Sequence, residues 1–220
     1  MNTIEERKSP SHADGIKRIQ VGCGPKNILH DWWNVDIREF KGIDEVMDVT
    51  RPWPWKNIVD YVFGEHFLEH LTVQQAQDFL VEAGKALCIG GKIRLSTPSL
   101  EWVLKTHFKF EDSPADMKLD QTWAINRAFR GWGHQFLYSK EMLVRILEST
   151  GFQRVQFFDY GISDDPLLAN LERHGGWQIE HGYPSVWVVE ATRGELPIAK
   201  NRDFSADMDL KFLRYVESGH

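Results

Sequence analysis

The segment RIQVGCGP at residues 18–25, followed by NVD at residues 34–36, decides the fold that this sequence predicts. Residues 19–21 suit a short strand, and the glycine turn at 22–24 removes side-chain bulk where a ligand could approach the main chain. A second strand ending in Asp36 would place a carboxylate beside that turn, where it could accept hydrogen bonds from the hydroxyls of a ribose. A Gly-x-Gly turn alone is weak evidence, but the two features together indicate a nucleotide-type ligand site.

Short β-compatible segments alternate with amphipathic helical segments along most of the chain. Strands are predicted at residues 19–21, 33–37, 43–49, 59–63, 92–97, 155–160 and 186–191, and helices at 72–87, 100–108 and 139–151. This alternation predicts an α/β fold with a mostly parallel seven-stranded sheet and helices on both faces. Only eleven residues separate Gly24 from Asp36, too few for a full crossover helix, so we expect a shortened first crossover.

The chain of 220 residues, 42% of them hydrophobic, is long enough to build one sizeable core. We expect a flexible N-terminal arm at residues 1–15, one domain at 16–194 and a C-terminal extension at 195–220. Within the domain, residues 109–133 carry mixed charge and aromatic side chains and are predicted to form an insertion or a lid.

The overall composition excludes several classes of protein. A net charge of −6 argues against binding of a nucleic-acid polymer, because such proteins concentrate Lys and Arg to neutralise phosphates. Cys23 and Cys88 lie in unrelated contexts and suit reduced thiols. No apolar run approaches the roughly 18 residues that span a bilayer, and the polar start lacks the apolar part of a secretory signal. We therefore expect a cytoplasmic protein without a membrane span.

Two later segments add side chains to the same edge of the predicted sheet. Asp48 and Val49 end a short strand, where the carboxylate could meet an adenine amino group; a solvent-exposed turn aspartate is the alternative. Gly64, Glu65 and His66 follow the fourth strand and would lie at the mouth of the sheet. His66 could equally be a hydrogen-bonded structural histidine.

Taken in order, the motifs VGCG, NVD, DVT with Pro and Trp after it, EHFLEHL and GGKIRLSTP resemble those of class I S-adenosylmethionine-dependent methyltransferases. The chain is most similar to predicted methyltransferases of the type-11-like group, which have a shortened first crossover and often accompany glycan-synthesis genes. The resemblance covers residues 16–191, and its combination of motifs is specific although each motif alone is not. It implies a Rossmann-like methyltransferase fold with S-adenosyl-L-methionine as the cofactor.

The resemblance also implies roles for individual residues. Gly22 and Gly24 would lie under the methionine part of the cofactor, Asp36 would hold the ribose and Asp48 would face the adenine. The segment HQFLYS at 134–139 is similar to a His-x-x-x-x-Ser pattern that precedes a helix in many relatives, which brings His134 toward the rim of the active site. The predicted cofactor-binding residues are Gly22, Cys23, Gly24, Pro25, Asp36, Ile37, Asp48, Val49, Gly64, Glu65 and His66.

The glycine turn departs from the family pattern in two residues, besides the short gap to Asp36. Gln20 replaces the acidic residue that often precedes the first glycine, and Lys26 with Asn27 replaces the third glycine. The amino-acid end of the cofactor would then be held by Lys26, Asn27 or backbone groups.

The predicted reaction is methylation of a sugar or glycan hydroxyl, with a small-molecule or glycan acceptor as the partner. Because a hydroxyl is a poor nucleophile at neutral pH, it benefits from a positioned base, for which His134 is the first candidate and His66 the second. Nine tryptophans could supply rings that stack on a sugar, although the glycan acceptor rests mainly on the resemblance. No metal site is predicted, and the oligomeric state is left open.

Three alternatives remain at this stage: a methyltransferase acting on another small metabolite, a nicotinamide-dependent oxidoreductase, and a non-catalytic cofactor-binding scaffold. The missing third glycine and the short crossover disfavour a dinucleotide, whose pyrophosphate needs the full loop and a helix N-terminus. Gln20 and Lys26 leave room for the scaffold, whereas the intact Gly22, Gly24 and Asp36 argue against it.

Overall fold

The computed structural model describes residues 17–111 and 114–218. The strands are β1 (Arg18–Val21), β2 (Trp33–Asp36), β3 (Glu45–Val46), β4 (Val59–Glu65), β5 (Leu87–Pro98), β6 (Phe152–Phe158), β7 (Ile179–Glu180), β8 (Tyr183–Pro184) and β9 (Val186–Arg193). The α-helices are α1 (Val73–Ala86), α2 (Leu100–His107), α3 (Ala115–Arg130), α4 (Lys140–Ser149), α5 (Arg202–Met208) and α6 (Arg214–Ser218). The predicted arm at 1–15 lies outside the described residues.

Seven strands form one sheet in the order β3-β2-β1-β4-β5-β9-β6. Strand β9 runs antiparallel to both of its neighbours, and the other strands of the sheet run parallel to one another. This confirms the predicted mostly parallel seven-stranded sheet of the Rossmann-like methyltransferase fold. The order differs from the 3-2-1-4-5-6 order of dinucleotide-binding folds, because β9 is inserted between β5 and β6.

The helices begin where the sequence places capping residues. The Thr72 hydroxyl accepts from the backbone N–H of Gln75, whose side chain accepts from the Thr72 N–H in return, so α1 starts with a capping box. Ser139 caps α4 through the N–H of Met142. The third strand is shorter than predicted, because the Asp48 carboxylate accepts from the backbone N–H of Thr50 and turns the chain away.

The main core lies on one face of the sheet. There Ile19, Val62 and Leu95 from the central strands pack against residues of α1, α4 and α5. Phe204 and Met208 of α5, together with Leu213, belong to this core, so the segment predicted as an extension contributes to it.

The opposite face of the sheet is covered by loops. Leu29 and Trp32 from one loop and Leu168 and Leu171 from another pack on Phe63 of β4. The sequence predicted helices on both faces, and within the described residues the helices of the main core lie on one face only. The physical reason is length, because the first crossover has no room for a helix.

Two buried polar side chains fix the shortened crossover. The Gln20 side chain accepts from the Leu29 N–H at 3.1 Å and donates to the Asn27 carbonyl at 2.9 Å. The Asn34 amide donates to the Leu29 and Trp32 carbonyls. These bonds satisfy backbone groups that a crossover helix would satisfy internally. Gln20, which departs from the family pattern, therefore has a structural role, because it holds the backbone of the shortened crossover.

Residues predicted as an insertion or lid form α3, a largely exposed helix. Its Ala128 is buried against Val103 of α2 and against Leu137, whereas Trp123 is exposed. Closure of this segment over a substrate remains a prediction, as do the domain boundaries. Within the described part of the chain, no helix has the length and apolar character needed to cross a membrane.

Candidate functional site

A cavity of about 470 Å³ opens at the carboxyl ends of β1, β2 and β4. This volume falls in the range of small-molecule sites, which is about 300–1,000 Å³. The predicted residues that line it are Gly22, Asp36, Ile37, Asp48, Val49 and His66. Side chains outside the predicted cofactor-binding set also line it, among them Arg38, Phe67, His70 and Trp132. The structure thus brings the ends of three strands together around one cavity.

Asp36 is the buried carboxylate of this cavity. Its Oδ2 accepts from the backbone N–H of Gly24 at 3.0 Å, and its Oδ1 accepts from the N–H and Nε–H of Arg38 at 3.0 and 3.3 Å. A carboxylate offers about four acceptor positions, so Oδ2 keeps capacity for a further donor. The Arg38 side chain is largely exposed and can move aside to release a second position.

Asp48 also lines the cavity, with its carboxylate partly exposed. Its Oδ1 accepts from the Thr50 hydroxyl at 2.6 Å and from the Thr50 N–H at 3.0 Å. The hydroxyl contact in particular lowers the pKa of Asp48, so the carboxylate is ionised at neutral pH. Asp48 can therefore accept a hydrogen bond from a ligand amino group, while also serving as the turn residue that the alternative interpretation describes.

Glu65 does not line the cavity. Its buried carboxylate accepts from the Tyr160 hydroxyl and from the backbone N–H groups of Arg173 and His174. Glu65 therefore holds the covering loop at 159–174 on the sheet. The sequence placed it correctly at the end of β4 but could not show toward which segment its side chain turns.

The remaining predicted cofactor residues also lie outside the lining. Cys23 is buried, and this burial together with the charge of Asp36 raises the pKa of its thiol to about 12, so the thiol is unreactive at neutral pH. Gly24 contributes only its N–H to Asp36, and Pro25 is exposed. Gly64 is packed between neighbouring strands, close to Val21.

His66 is the predicted base candidate that lines the cavity. Its Nδ1 lies 3.0 Å from Oε1 of Glu69, a fully buried carboxylate whose Oε2 accepts from the Thr97 hydroxyl. Because an ionised carboxylate can only accept, His66 carries its proton on Nδ1, and Nε2 is left as an acceptor. Burial lowers the pKa of His66, but the hydrogen bond and charge of Glu69, with the charge of Glu65, outweigh it and raise the pKa overall.

His134, the first candidate base from the sequence, is not part of the lining. Its Nδ1 lies 2.8 Å from the Ala128 carbonyl, and its ring packs edge-on against His70 with centroids 5.2 Å apart. His134 lies beside the cavity, because its ring contacts the rings of His70 and Trp132 and both of those residues line the cavity. The geometry therefore favours His66 over His134 as the base.

Phe67 explains why residue 22 is a glycine. Gly22 has φ +60°, and a Cβ there would lie 2.5 Å from a ring carbon of Phe67. Gly24 has a similar φ of +58°, yet a Cβ there would meet nothing within 4 Å. The two glycines thus share a backbone requirement, but only Gly22 makes room for a ring.

We expect Gly22→Ala to lower the free energy of unfolding by about 2–4 kcal/mol, since the left-handed backbone and the clash with Phe67 both contribute. Gly24→Ala is the matched control and should cost about 1–2 kcal/mol, from the backbone alone. Urea unfolding followed by circular dichroism measures both. Equal losses in the two variants would show that contact with Phe67 does not constrain position 22.

Glu69 and Phe67 have roles that sequence reasoning missed. A usable signal was present for Glu69, because a histidine and a glutamate three residues apart often face each other within a helical turn. No comparable signal exists for Phe67, whose position over the glycine turn depends on how β1 and β4 pair.

Comparisons with known proteins identify structural neighbours that include several methyltransferases. No family model matches the sequence, and no curated protein matches it. The chain is similar to the CurJ carbon methyltransferase with 14% identity and a TM-score of 0.45, covering 86% of this chain and 51% of that one. It is similar to phosphoethanolamine N-methyltransferase 2 of Haemonchus contortus with 15% identity and a TM-score of 0.43, covering 66% and 34%.

A third neighbour is an S-adenosylmethionine-dependent methyltransferase of Thermotoga maritima, with 16% identity and a TM-score of 0.48, covering 80% of this chain and 81% of that one. The chain spans about half and about a third of the length of the first two neighbours. Because these identities and TM-scores are low, the assignment of function rests on the geometry of the site itself.

Proposed function

We propose that this chain is an S-adenosylmethionine-dependent methyltransferase that methylates a hydroxyl group of a sugar or glycan. The observation that carries the proposal is the buried Asp36 carboxylate at the end of β2, hydrogen-bonded to the glycine turn after β1 and lining the same cavity as Asp48. A carboxylate in that position is suited to the hydroxyls of a ribose.

The cavity fits the nucleoside part of this cofactor. Asp36 would hold the ribose, the exposed apolar side chain of Ile37 would cover the adenine ring, and Asp48 would accept from its amino group. When bound, the cofactor supplies a methyl group on a positively charged sulfur. Lys26 and Asn27 do not line the cavity, so they are not supported as ligands of the amino-acid end.

The same geometry argues against a nicotinamide dinucleotide. Residues 25–32, which follow the glycine turn, form no helix. A pyrophosphate site of that kind needs a helix N-terminus directly after the turn. The oxidoreductase alternative therefore lacks its main binding element.

His66 supplies the base in this proposal. Its Nε2 is free to accept a proton from an acceptor hydroxyl, and Glu69 stabilises the charge that the ring then carries. Glu69 cannot rotate away easily, because it is fully buried and bonded to Thr97. The chain thus orients the ring and holds the abstracted proton at a defined atom.

Trp132 supports a sugar as the acceptor. Trp132 lines the cavity and is 72% exposed, and its ring lies beside the imidazole of His134. An exposed aromatic face can stack on the apolar face of a sugar, and nearby imidazoles can order its hydroxyls. Another small metabolite with a ring and a hydroxyl would meet the same groups, and an acceptor screen separates the two.

Calorimetric titration of S-adenosylmethionine, S-adenosylhomocysteine and NADH tests the proposal. We expect the first two to bind and NADH not to bind. Binding of NADH alone would support the oxidoreductase. Binding of none of the three would overturn the proposal and favour a non-catalytic protein that has kept only the fold. A screen of sugars, glycans and small phenols with labelled cofactor then identifies the acceptor class.

We expect Asp36→Ala to weaken binding of S-adenosylhomocysteine by about 1.5–3 kcal/mol, because hydrogen bonds to a charged acceptor are lost. Asp36→Asn, which can still accept from the Gly24 N–H, separates loss of charge from loss of the turn. Arg38→Met is the matched control, since it removes the exposed side-chain partner of Asp36 and leaves the Asp36 carboxylate in place. The affinity of this variant for S-adenosylhomocysteine should not fall. Unchanged affinity in Asp36→Ala would remove this residue from the site.

A further inference from the structure

Glu69, His70 and His134 converge beside the cavity, although the chain places His134 far from the other two. One possible ligand atom from each lies within 4.8 Å of the others. We propose that these three side chains bind a divalent metal ion of the zinc class. The sequence predicted no metal site, because only folding brings the turn at Leu68–His70 next to the segment after α3.

The set of side chains suits this class of metal. Two imidazoles and one carboxylate are a ligand set that zinc and its neighbours accept, whereas magnesium and calcium prefer oxygen alone. Three protein ligands leave a further coordination position for a water or a substrate atom.

His134 is oriented as a metal-binding histidine. Its Nδ1 donates to the Ala128 carbonyl at 2.8 Å, which fixes the tautomer and leaves the lone pair on Nε2. Histidines that bind metals commonly donate their other ring N–H to a backbone carbonyl in this way. The adjacent ring of His70 contacts it edge-on, with ring centroids 5.2 Å apart.

The buried Glu69 carboxylate has an imidazole, and no permanently charged side chain, as its ion-pair partner among the described residues. That imidazole belongs to His66. A buried carboxylate is costly unless it is paired with positive charge. Each of its oxygens accepts one hydrogen bond, from His66 and from Thr97, and so keeps an acceptor position for a metal.

A small side-chain movement completes the site. Metal–ligand bonds of about 2.0–2.2 Å require ligand atoms closer together than 4.8 Å. His70 is exposed and can rotate toward the other two, whereas Glu69 is buried and His134 is held by Ala128. Two fixed ligands and one mobile ligand therefore define the position of the ion.

An ion bound here would lie at the edge of the cavity that His70 and Trp132 line. Its open coordination position would hold an oxygen of the acceptor next to His66. That role rests on the proposed function, whereas metal binding itself does not.

Titration of the metal-free protein with Co²⁺, a coloured substitute for Zn²⁺, tests the site. We expect saturable visible absorption bands of protein-bound cobalt that Zn²⁺ displaces. His134→Asn retains a donor for the Ala128 carbonyl but lacks Nε2, and it should weaken cobalt binding by more than about 100-fold, since changes to mere supporting residues already cost 10–100-fold. Glu69→Gln and His70→Asn should also weaken it strongly.

His181→Asn is the matched control, because His181 is an exposed histidine on the turn between β7 and β8 and should leave binding unchanged. Thermal unfolding verifies that each variant is folded. Absence of cobalt bands in the native chain, or bands of equal strength in folded His134→Asn, would overturn the proposal. Calorimetry with S-adenosylhomocysteine on the same samples shows separately whether the cofactor site stands, so that failure of one proposal is not confused with failure of the other.

Discussion

Replacing Arg94 with methionine is expected to lower the free energy of unfolding by about 3–5 kcal/mol, because it leaves two buried carboxylates without their cation. Arg94 lies in β5 with no exposed surface. Its Nε donates to Glu172 at 2.7 Å, and its Nη1 donates to Glu190 at 2.5 Å and to the Ile162 carbonyl at 2.9 Å. Glu172 belongs to the loop that covers the second face of the sheet. The guanidinium therefore joins that loop to β5 and to β9.

Urea unfolding at neutral pH, followed by circular dichroism, measures the loss. The informative control is the triple variant Arg94→Met/Glu172→Gln/Glu190→Gln, in which the glutamine oxygen at 172 can still accept from the Gly161 N–H that Glu172 binds. Since removing all members of a buried ion network is far less costly than removing one, the triple variant should recover more than half of the loss. A loss below about 1 kcal/mol in the single variant would show that solvent reaches these carboxylates.

The contacts of the loop at 159–174 show why the loop covering on the second face of the sheet could not be predicted from the sequence. Arg94 and Glu172 appear in the sequence as ordinary charged residues within or between predicted elements, and Glu65 was predicted to bind the cofactor. Their pairing depends on the loop at 159–174 folding back across the sheet, and no local pattern encodes that path. The short first crossover, in contrast, follows directly from the number of residues between Gly24 and Asp36, and it was predicted correctly.

The sheet and the cavity edge were predictable because they depend on local signals. Apolar runs that end in glycine or acidic residues mark β1, β2 and β4, and parallel strands bring their carboxyl ends to one edge. Asp36 and His66 therefore lie at the cavity as expected. Glu65 turns away, because alternate residues of a strand face opposite sides and the sequence does not specify where the strand ends.

Trp132 and His134 show a second limit. The sequence suggested that His134 approaches the rim, and the structure places it beside His70, yet just outside the cavity lining. Trp132 lines the cavity, and its backbone takes a left-handed conformation, with φ 56°. Such a conformation is rare for a bulky residue and cannot be foreseen from composition.

Replacing His66 with asparagine is expected to lower turnover by about 10²–10⁴-fold at saturating cofactor, the usual contribution of a positioned base. Asparagine places an amide N–H near the position of Nδ1, so it can still donate to Glu69, and it has no counterpart of Nε2. It also tolerates the left-handed backbone of this position, where φ is 46°. The variant should therefore fold and bind S-adenosylhomocysteine as the native chain does.

The matched control for that experiment is His174→Asn. His174 packs its ring on His66 with centroids 4.7 Å apart, but it is half exposed and lies outside the cavity lining, so its loss should leave turnover nearly unchanged. Nitrogen chemical shifts of the His66 ring test the geometry before an acceptor is known, and they should report a proton on Nδ1. A proton on Nε2 alone would exclude His66 as the base, because general-base catalysis here requires a free Nε2. Turnover in His66→Asn within about threefold of the native chain would also exclude it, because a positioned base contributes far more than threefold.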